Sequence, residues 1–218
     1  MLIIKITSAN SNQFIKKAIL VLENGGVIVY PTETAYGLGA DFFNPKAMKK
    51  VYRIKGRDYK KPLSVIVSSL GMARQYVKIN QLSLKLAKQY WPGALTLVLP
   101  IASYALRVLN KKQSSSGFKS KIEDQRTVGL RISSNKPATA IVRKFGKPIT
   151  STSANISGKG ECFSAQEVIR QFRNRKYQPD LIIDAGRLPK KRMSTIVKIT
   201  DGQLEVLRKG KILLTPVI

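Results

Sequence analysis

Val27-Ile28-Val29-Tyr30-Pro31-Thr32-Glu33-Thr34-Ala35-Tyr36-Gly37-Leu38-Gly39 is the stretch that sets the fold class of this chain. Its first four residues are a short apolar run of the kind that forms a buried strand. Closely spaced hydroxyls, one carboxylate and two glycines follow at once. A plain connector has no need of a tyrosine and three hydrogen-bonding side chains. In α/β folds such clusters sit at the ends of strands, where ligand clefts are built.

Working outward, the rhythm of strand and helix continues. Phe14, Ile15, Ala18, Ile19 and Leu22 share one face of a helix over 11–24, which Gly25-Gly26 ends. Asn44-Pro45 supplies an N-cap and a first-turn proline to a second helix with the stripe Ala47, Met48, Val51, Ile54. Strands are predicted over 63–67, 95–99, 128–132, 148–152, 181–183 and 195–199. Helices are predicted over 82–90, where Trp91-Pro92-Gly93 stops the run, and over 137–145 and 165–172. Asp201-Gly202 is a hairpin turn into 204–207. Residues 101–126, centred on Lys111-Lys112-Gln113-Ser114-Ser115-Ser116-Gly117, read as a mobile basic surface loop. The pattern predicts an α/β protein with an open mixed sheet flanked by helices. No internal repeat or clean linker interrupts it, so a single domain over 1–218 is expected.

The residue inventory excludes several chemistries. There is no histidine among the 218 residues, which removes Ser-His and Cys-His catalysis and His-bound metals. Cys162 is the only cysteine, so a thiolate cage is excluded and no metal ligand set is assigned. No segment is long and apolar enough to span a bilayer, and the start Met1-Leu2-Ile3-Ile4-Lys5 lacks a signal-peptide core. A cytoplasmic protein with no membrane partner is the expectation. The balance of 39 basic against 12 acidic residues gives +27 and favours phosphate-rich partners, although general basicity produces the same excess.

Three further polar clusters accompany the first. Lys55-Gly56-Arg57 with Lys60-Lys61 closes the second helix, where cations grip polyphosphate or merely complement the helix dipole. Thr127-Val128-Gly129-Leu130-Arg131 is a strand ending in one arginine. Ser151-Thr152-Ser153-Ala154-Asn155-Ile156-Ser157-Gly158 sets a hydroxyl and an amide two residues apart, which face one cleft if the chain is extended and form a Ser/Asn turn if it is not. Neither a Walker A string nor a Gly-x-Gly-x-x-Gly fingerprint occurs.

These four clusters, taken in order with Trp91-Pro92-Gly93, Asp184-Ala185-Gly186, Ser194-Thr195-Ile196-Val197 and Leu207-Arg208-Lys209-Gly210, resemble the YrdC/TsaC family of threonylcarbamoyl-AMP synthases over about residues 11–212. The resemblance implies a YrdC-like twisted sheet around a basic concave cleft, in the short, single-domain bacterial form. It implies catalytic roles for Lys55, Arg57, Ser153 and Asn155. It places Thr34, Arg131 and Ser194 near threonine, and Arg57, Lys61, Thr127, Ser153, Asn155 and Arg208 near the nucleotide. Two departures stand out: Ile66 where some members carry histidine, and Ile132-Ser133-Ser134 where proline often follows the arginine.

The implied reaction makes threonylcarbamoyl-AMP and pyrophosphate from ATP, L-threonine and bicarbonate, for N6-threonylcarbamoyladenosine in tRNA. It is a nucleotidyl transfer that needs no protein nucleophile. Magnesium is expected to arrive on the ATP phosphates. Downstream threonylcarbamoyl-transfer proteins and a direct RNA or tRNA contact are further implied partners. The rival from another class is a non-catalytic RNA-binding or ribosome-maturation factor using the same basic cleft.

Overall fold

The computed structural model describes residues 1–7, 11–114 and 127–214. Its strands divide between two mixed sheets. The first contains β1 (Leu2–Lys5), β2 (Ile28–Tyr30), β3 (Gly37–Gly39), β8 (Thr152–Ser153) and β9 (Leu181–Asp184), in the order β1-β9-β2-β3-β8. The second contains β4 (Val65–Ile66), β5 (Leu95–Pro100), β6 (Thr127–Arg131), β7 (Ile149–Thr150), β10 (Thr195–Thr200) and β11 (Gln203–Arg208), in the order β11-β10-β5-β6-β4-β7. Helices α1 (Ser11–Glu23), α2 (Pro45–Lys55), α3 (Leu70–Tyr76), α4 (Gln81–Tyr90), α5 (Ser103–Ser114), α6 (Lys136–Phe145) and α7 (Ala165–Phe172) flank them. The mixed α/β class is as the alternation predicts. No helix among the described residues is long and apolar enough to cross a membrane.

The period-2 geometry of a strand explains why β2 is apolar throughout. Val27 and Val29 enter one core cluster, with Ala47, Met48 and Val51 of α2 and Val168 and Phe172 of α7. Ile28 and Tyr30 enter the other, with Phe14, Ala18 and Leu22 of α1 and Ile141 and Val142 of α6. The second sheet differs in kind. Leu95, Leu97 and Leu99 of β5, Val128 and Leu130 of β6, and Val197 and Ile199 of β10 face the core, while the intervening residues face a cavity.

One predicted connection is corrected. The first part of the supposed loop over 101–126 is helix α5, because Ala105 is buried and Leu106 and Val108 pack on the core. These apolar anchors outweigh the polar composition that follows them. The helix takes in Lys111 to Ser114 of the expected loop's centre, and residues 115–126 lie outside the described residues. The edge strand β1 and the short helix α3 were also not foreseen. β1 pairs in parallel with β9, and its side chains are largely exposed, so no burial pattern marks it.

The two sheets meet where β7 hands over to β8. Ser151 stands between them, and its N–H donates to Ser64 O at 2.6 Å. At the other end of the second sheet, Gly210 lies against the chain entering β10. A Cβ there would overlap Met193 O and come 2.5 Å from Ser194 C and Thr195 N. We therefore expect Gly210→Ala to destabilise the fold by about 1–3 kcal/mol through overpacking against rigid backbone. A lowered urea midpoint checks this, with Gly202→Ala as a control that meets no atom within 4 Å but shares the strain of a positive φ.

Candidate functional site

Between the second sheet, the loop after β2 and the segment 151–161 lies a cavity of about 1020 Å3. Its floor is the non-core face of the second sheet: Thr96 and Val98, Thr127, Gly129 and Arg131, Ser194, Ile196 and Lys198, then Glu205 and Leu207. Arg57, Lys61, Arg131, Lys159, Lys198 and Arg208 give it six cationic side chains against the two carboxylates Glu161 and Glu205. Thr34, Arg57, Lys61, Thr127, Arg131, Ser153, Asn155, Ser194 and Arg208 all line it.

Lys55 is the exception among the sequence-derived residues. It is 2% exposed and stands behind the wall. Its ammonium donates to Ser153 O at 2.5 Å, Asn155 O at 2.9 Å and Asn155 Oδ1 at 3.0 Å. Those three bonds use every N–H the group has. The reason lies at the end of α2. Gly56 adopts φ 58°, a left-handed conformation that glycine alone takes without cost, and its cap ends the helix. The reversal leaves Lys55 pointing inward and delivers Arg57 to the rim, where Nε and Nη2 are tethered to Lys61 O (3.3 Å) and Pro62 O (3.1 Å).

Asn155 is the node of the wall that Lys55 holds. Its Oδ1 also accepts from Ser153 Oγ at 2.5 Å, and its Nδ2 donates to Ile156 O at 3.2 Å and to Lys159 O. Gln171 of α7 stitches the loop from outside, accepting from Ile156 N–H and donating to Gly160 O. β8 ends at Ser153 and the chain then turns, with Asn155 N–H donating to Ser153 O at 2.9 Å, so the Ser-x-Asn segment is a hydrogen-bonded turn whose two side chains still line the cavity.

Arg131 comes to the cavity pre-oriented. Nη1 lies 2.9 Å from Glu33 Oε1, both side chains are 7% exposed, and Nη2 donates to Ser151 Oγ at 3.2 Å. Glu33 also accepts from Ser133 Oγ, so the serine at that departure from the family pattern orients the carboxylate. Arg131 Nε is buried with no partner among the described residues. A buried ion pair of this kind is costly to break from one side. The other departure, Ile66, is fully buried in the core around α1 and α6 and does not reach the cavity.

Thr32 folds the first polar cluster. Its hydroxyl donates to Ala35 O at 2.6 Å and accepts from the N–H groups of Thr34 and Ala35, which presents Thr34 to the cavity. Tyr36 OH donates to Gly186 O at 2.7 Å and accepts from Ala185 N–H, which accounts for Asp184-Ala185-Gly186 at the end of β9. Burial raises its phenol far above the ordinary range. Across the floor, Arg208 donates to Ser194 Oγ at 2.9 Å and Ser194 O at 3.0 Å, and Ser194 Oγ lies 3.1 Å from Thr96 Oγ1. Sequence reasoning named Ser151 only within its polar cluster and missed Thr96 and Glu161. Thr96 alternates with the core residues Leu95 and Leu97 and was open to that reading. Glu161, in a Ser/Gly-rich loop, carried no signal.

Burial, assisted by Arg57, lowers the Lys55 ammonium from 10.5 to about 8. The unfolded chain then binds more protons than the folded one between those values, so this group's contribution to stability rises with pH across that window. Removing it as Lys55→Met leaves three acceptors without their donor and costs about 1–3 kcal/mol per uncompensated group at neutral pH. Between pH 8 and 10 the wild type should gain on the variant by about 1.4 kcal/mol per pH unit. Paired urea titrations check it, and a flat difference shows that the three oxygens keep the proton in place.

Residues 20–210 match the Sua5/YciO/YrdC family model, described as telomere recombination. A Methanocaldococcus jannaschii protein that carries the provisional name threonylcarbamoyl-AMP synthase is 34% identical over 217 residues, 96% of this chain and 93% of that one. The Bacillus subtilis threonylcarbamoyl-AMP synthase is 34% identical over 206 residues, 94% of this chain, which spans only 55% of that relative. Among solved structures, Pyrococcus abyssi Sua5 complexed with L-threonine superposes with a TM-score of 0.81 at 31% identity, over 96% of this chain and 58% of that one. The chain belongs to the Sua5/YciO/YrdC family.

Proposed function

We propose that the protein makes threonylcarbamoyl-AMP and pyrophosphate from ATP, L-threonine and bicarbonate, in service of tRNA modification. The observation that carries this reading is the shared cavity, which brings six cations, the buried and oriented Arg131 among them, together from distant stretches of chain. Its volume, at the upper end of ordinary ligand pockets, suits a nucleotide and an amino acid side by side. The named activity of two relatives and the threonine complex of a third support it.

In this reading Arg131, held by Glu33 and Ser151, receives the threonine carboxylate, with Thr34 and Ser194 beside it. Arg57, Lys61 and Arg208 take the triphosphate, with Thr127, Ser153 and Asn155 on the nucleotide's path. The threonine nitrogen bonds to the carbon of bicarbonate with loss of water and a proton. A carbamate oxygen then attacks the α-phosphorus, and the bond to the β-phosphate oxygen breaks to release pyrophosphate. The chain's contribution is to hold mutually repelling anions in line and to neutralise charge on the phosphates. Lys55 acts at one remove, as the positioning residue of the Ser153–Asn155 wall.

Magnesium fits this scheme as a passenger. Among the described residues no group of three or more His, Cys, Asp or Glu is placed to hold a metal ion. Phosphate oxygens would therefore supply most of its ligands, and its chemistry would be further charge neutralisation. An intracellular location follows from the substrates and belongs to the same proposal.

Purified protein should release pyrophosphate from ATP only when threonine and bicarbonate are both present. Arg57→Ala should lower that rate by about 10²–10³-fold while leaving the melting temperature in place, because its bonds reach only its own exposed loop. Salt-sensitive RNA affinity with no pyrophosphate release would overturn the enzyme reading in favour of an RNA-binding factor.

A further inference from the structure

Glu161 is out of place in a cavity that otherwise collects anions. It is half-buried and lines the same cavity as Arg131 and Arg208. Its backbone position is fixed on both sides: Gly160 O accepts from Gln171 Nε2 at 3.0 Å, and Cys162 O accepts from Tyr36 N–H at 2.9 Å. Its carboxylate makes no hydrogen bond or ion pair with another described residue. Burial raises its pKa, and Arg208, Arg131 and Lys55 pull against that from a distance. A half-buried carboxylate with no hydrogen bond to another described residue keeps its oxygens open to a ligand in the cavity.

The other carboxylates nearby are already committed. Glu33 is engaged by Arg131 and Ser133. Glu205 is exposed on β11, directly across the ladder from Lys198. Of the groups that the proposed substrates bring, carboxylate, bicarbonate and triphosphate are all anionic. The amino acid's ammonium is the one cationic group among them, and a carboxylate in the cavity offers it both charge and hydrogen bonds. A zwitterion is read by one cation and one anion that share a cavity, and Arg131 with Glu161 supplies both charges. A divalent ion is a poorer match, since a single carboxylate among three cations offers it one ligand and net repulsion.

We propose that Glu161 receives the α-ammonium of the amino-acid substrate and sets its nitrogen in place for carbamoylation. The inference rests on the functional reading above. It assigns to Glu161 the selection of amino acids over the corresponding hydroxy acids, which present the same carboxylate and side chain without the ammonium.

The test is calorimetric binding of threonine, and of the hydroxy acid in which hydroxyl replaces its amino group, to wild type, Glu161→Gln and Glu161→Asp. Wild type should prefer threonine by about 10–100-fold, the worth of one hydrogen-bonded charge. Glu161→Gln should bind the two within about twofold of one another, with hydroxy-acid affinity unchanged. Glu161→Asp, which keeps the charge, should recover part of the preference. The affinity for Mg2+-ATP should not fall in either variant. Undiminished discrimination in Glu161→Gln, or a defect confined to Mg2+ titrations, overturns this inference alone. Failure of the wild type to bind threonine at all overturns the functional reading and this inference together.

Discussion

The ammonium of Lys55 is the constraint on which the site depends. It ties the last turn of α2 to Ser153 and Asn155, and so joins a helix on the first sheet to the wall of a cavity floored by the second. Burying a cation this deeply is unfavourable unless its donors are fully used, and here they are. Asn155 then passes the order on, to Lys159 O through its amide nitrogen and to Ser153 through its oxygen. A residue that never lines the cavity thus decides the shape of the part that does.

The same logic recurs at Arg131. Its guanidinium is not free to wander, because Glu33 and Ser151 hold two of its nitrogens. Glu33 in turn is held by Ser133, which itself accepts from Asn135 N–H at the start of α6. Pre-orientation reduces the ordering cost that binding would otherwise incur. Among the cationic side chains, Lys55, Arg131 and Arg208 are bonded into the protein, whereas Arg57 and Lys61 stand at the rim, exposed or tethered to carbonyls of their own loop.

Much of this was legible in the chain. The all-apolar run 27–30 announced a strand covered on both faces, and Asn44-Pro45 marked the start of α2 through cap chemistry. The polar clusters after β2 and β7 and at the ends of α2 and β6 do meet at one cavity. Pairing partners were not legible, because nothing local says that β7 and β8 part company at Ser151 or that Thr96 will sit beside Ser194. Helix α5 was hidden by the polar composition around it. The position of Lys55 was hidden too, because a lysine at a helix end looks the same in sequence whether it meets solvent or three buried oxygens.

The contacts that make the site span the chain. Lys55 meets Asn155 across 100 residues, Glu33 meets Ser133 across 100, and Thr96 meets Ser194 across 98. Closing loops of that size is slow relative to forming local helices. During synthesis, then, the helices α1 and α2 can form early while the cavity stays unbuilt until β10 and β11 have left the ribosome. The cavity is therefore the last part of the fold to be completed, and its integrity reports that the whole chain has folded.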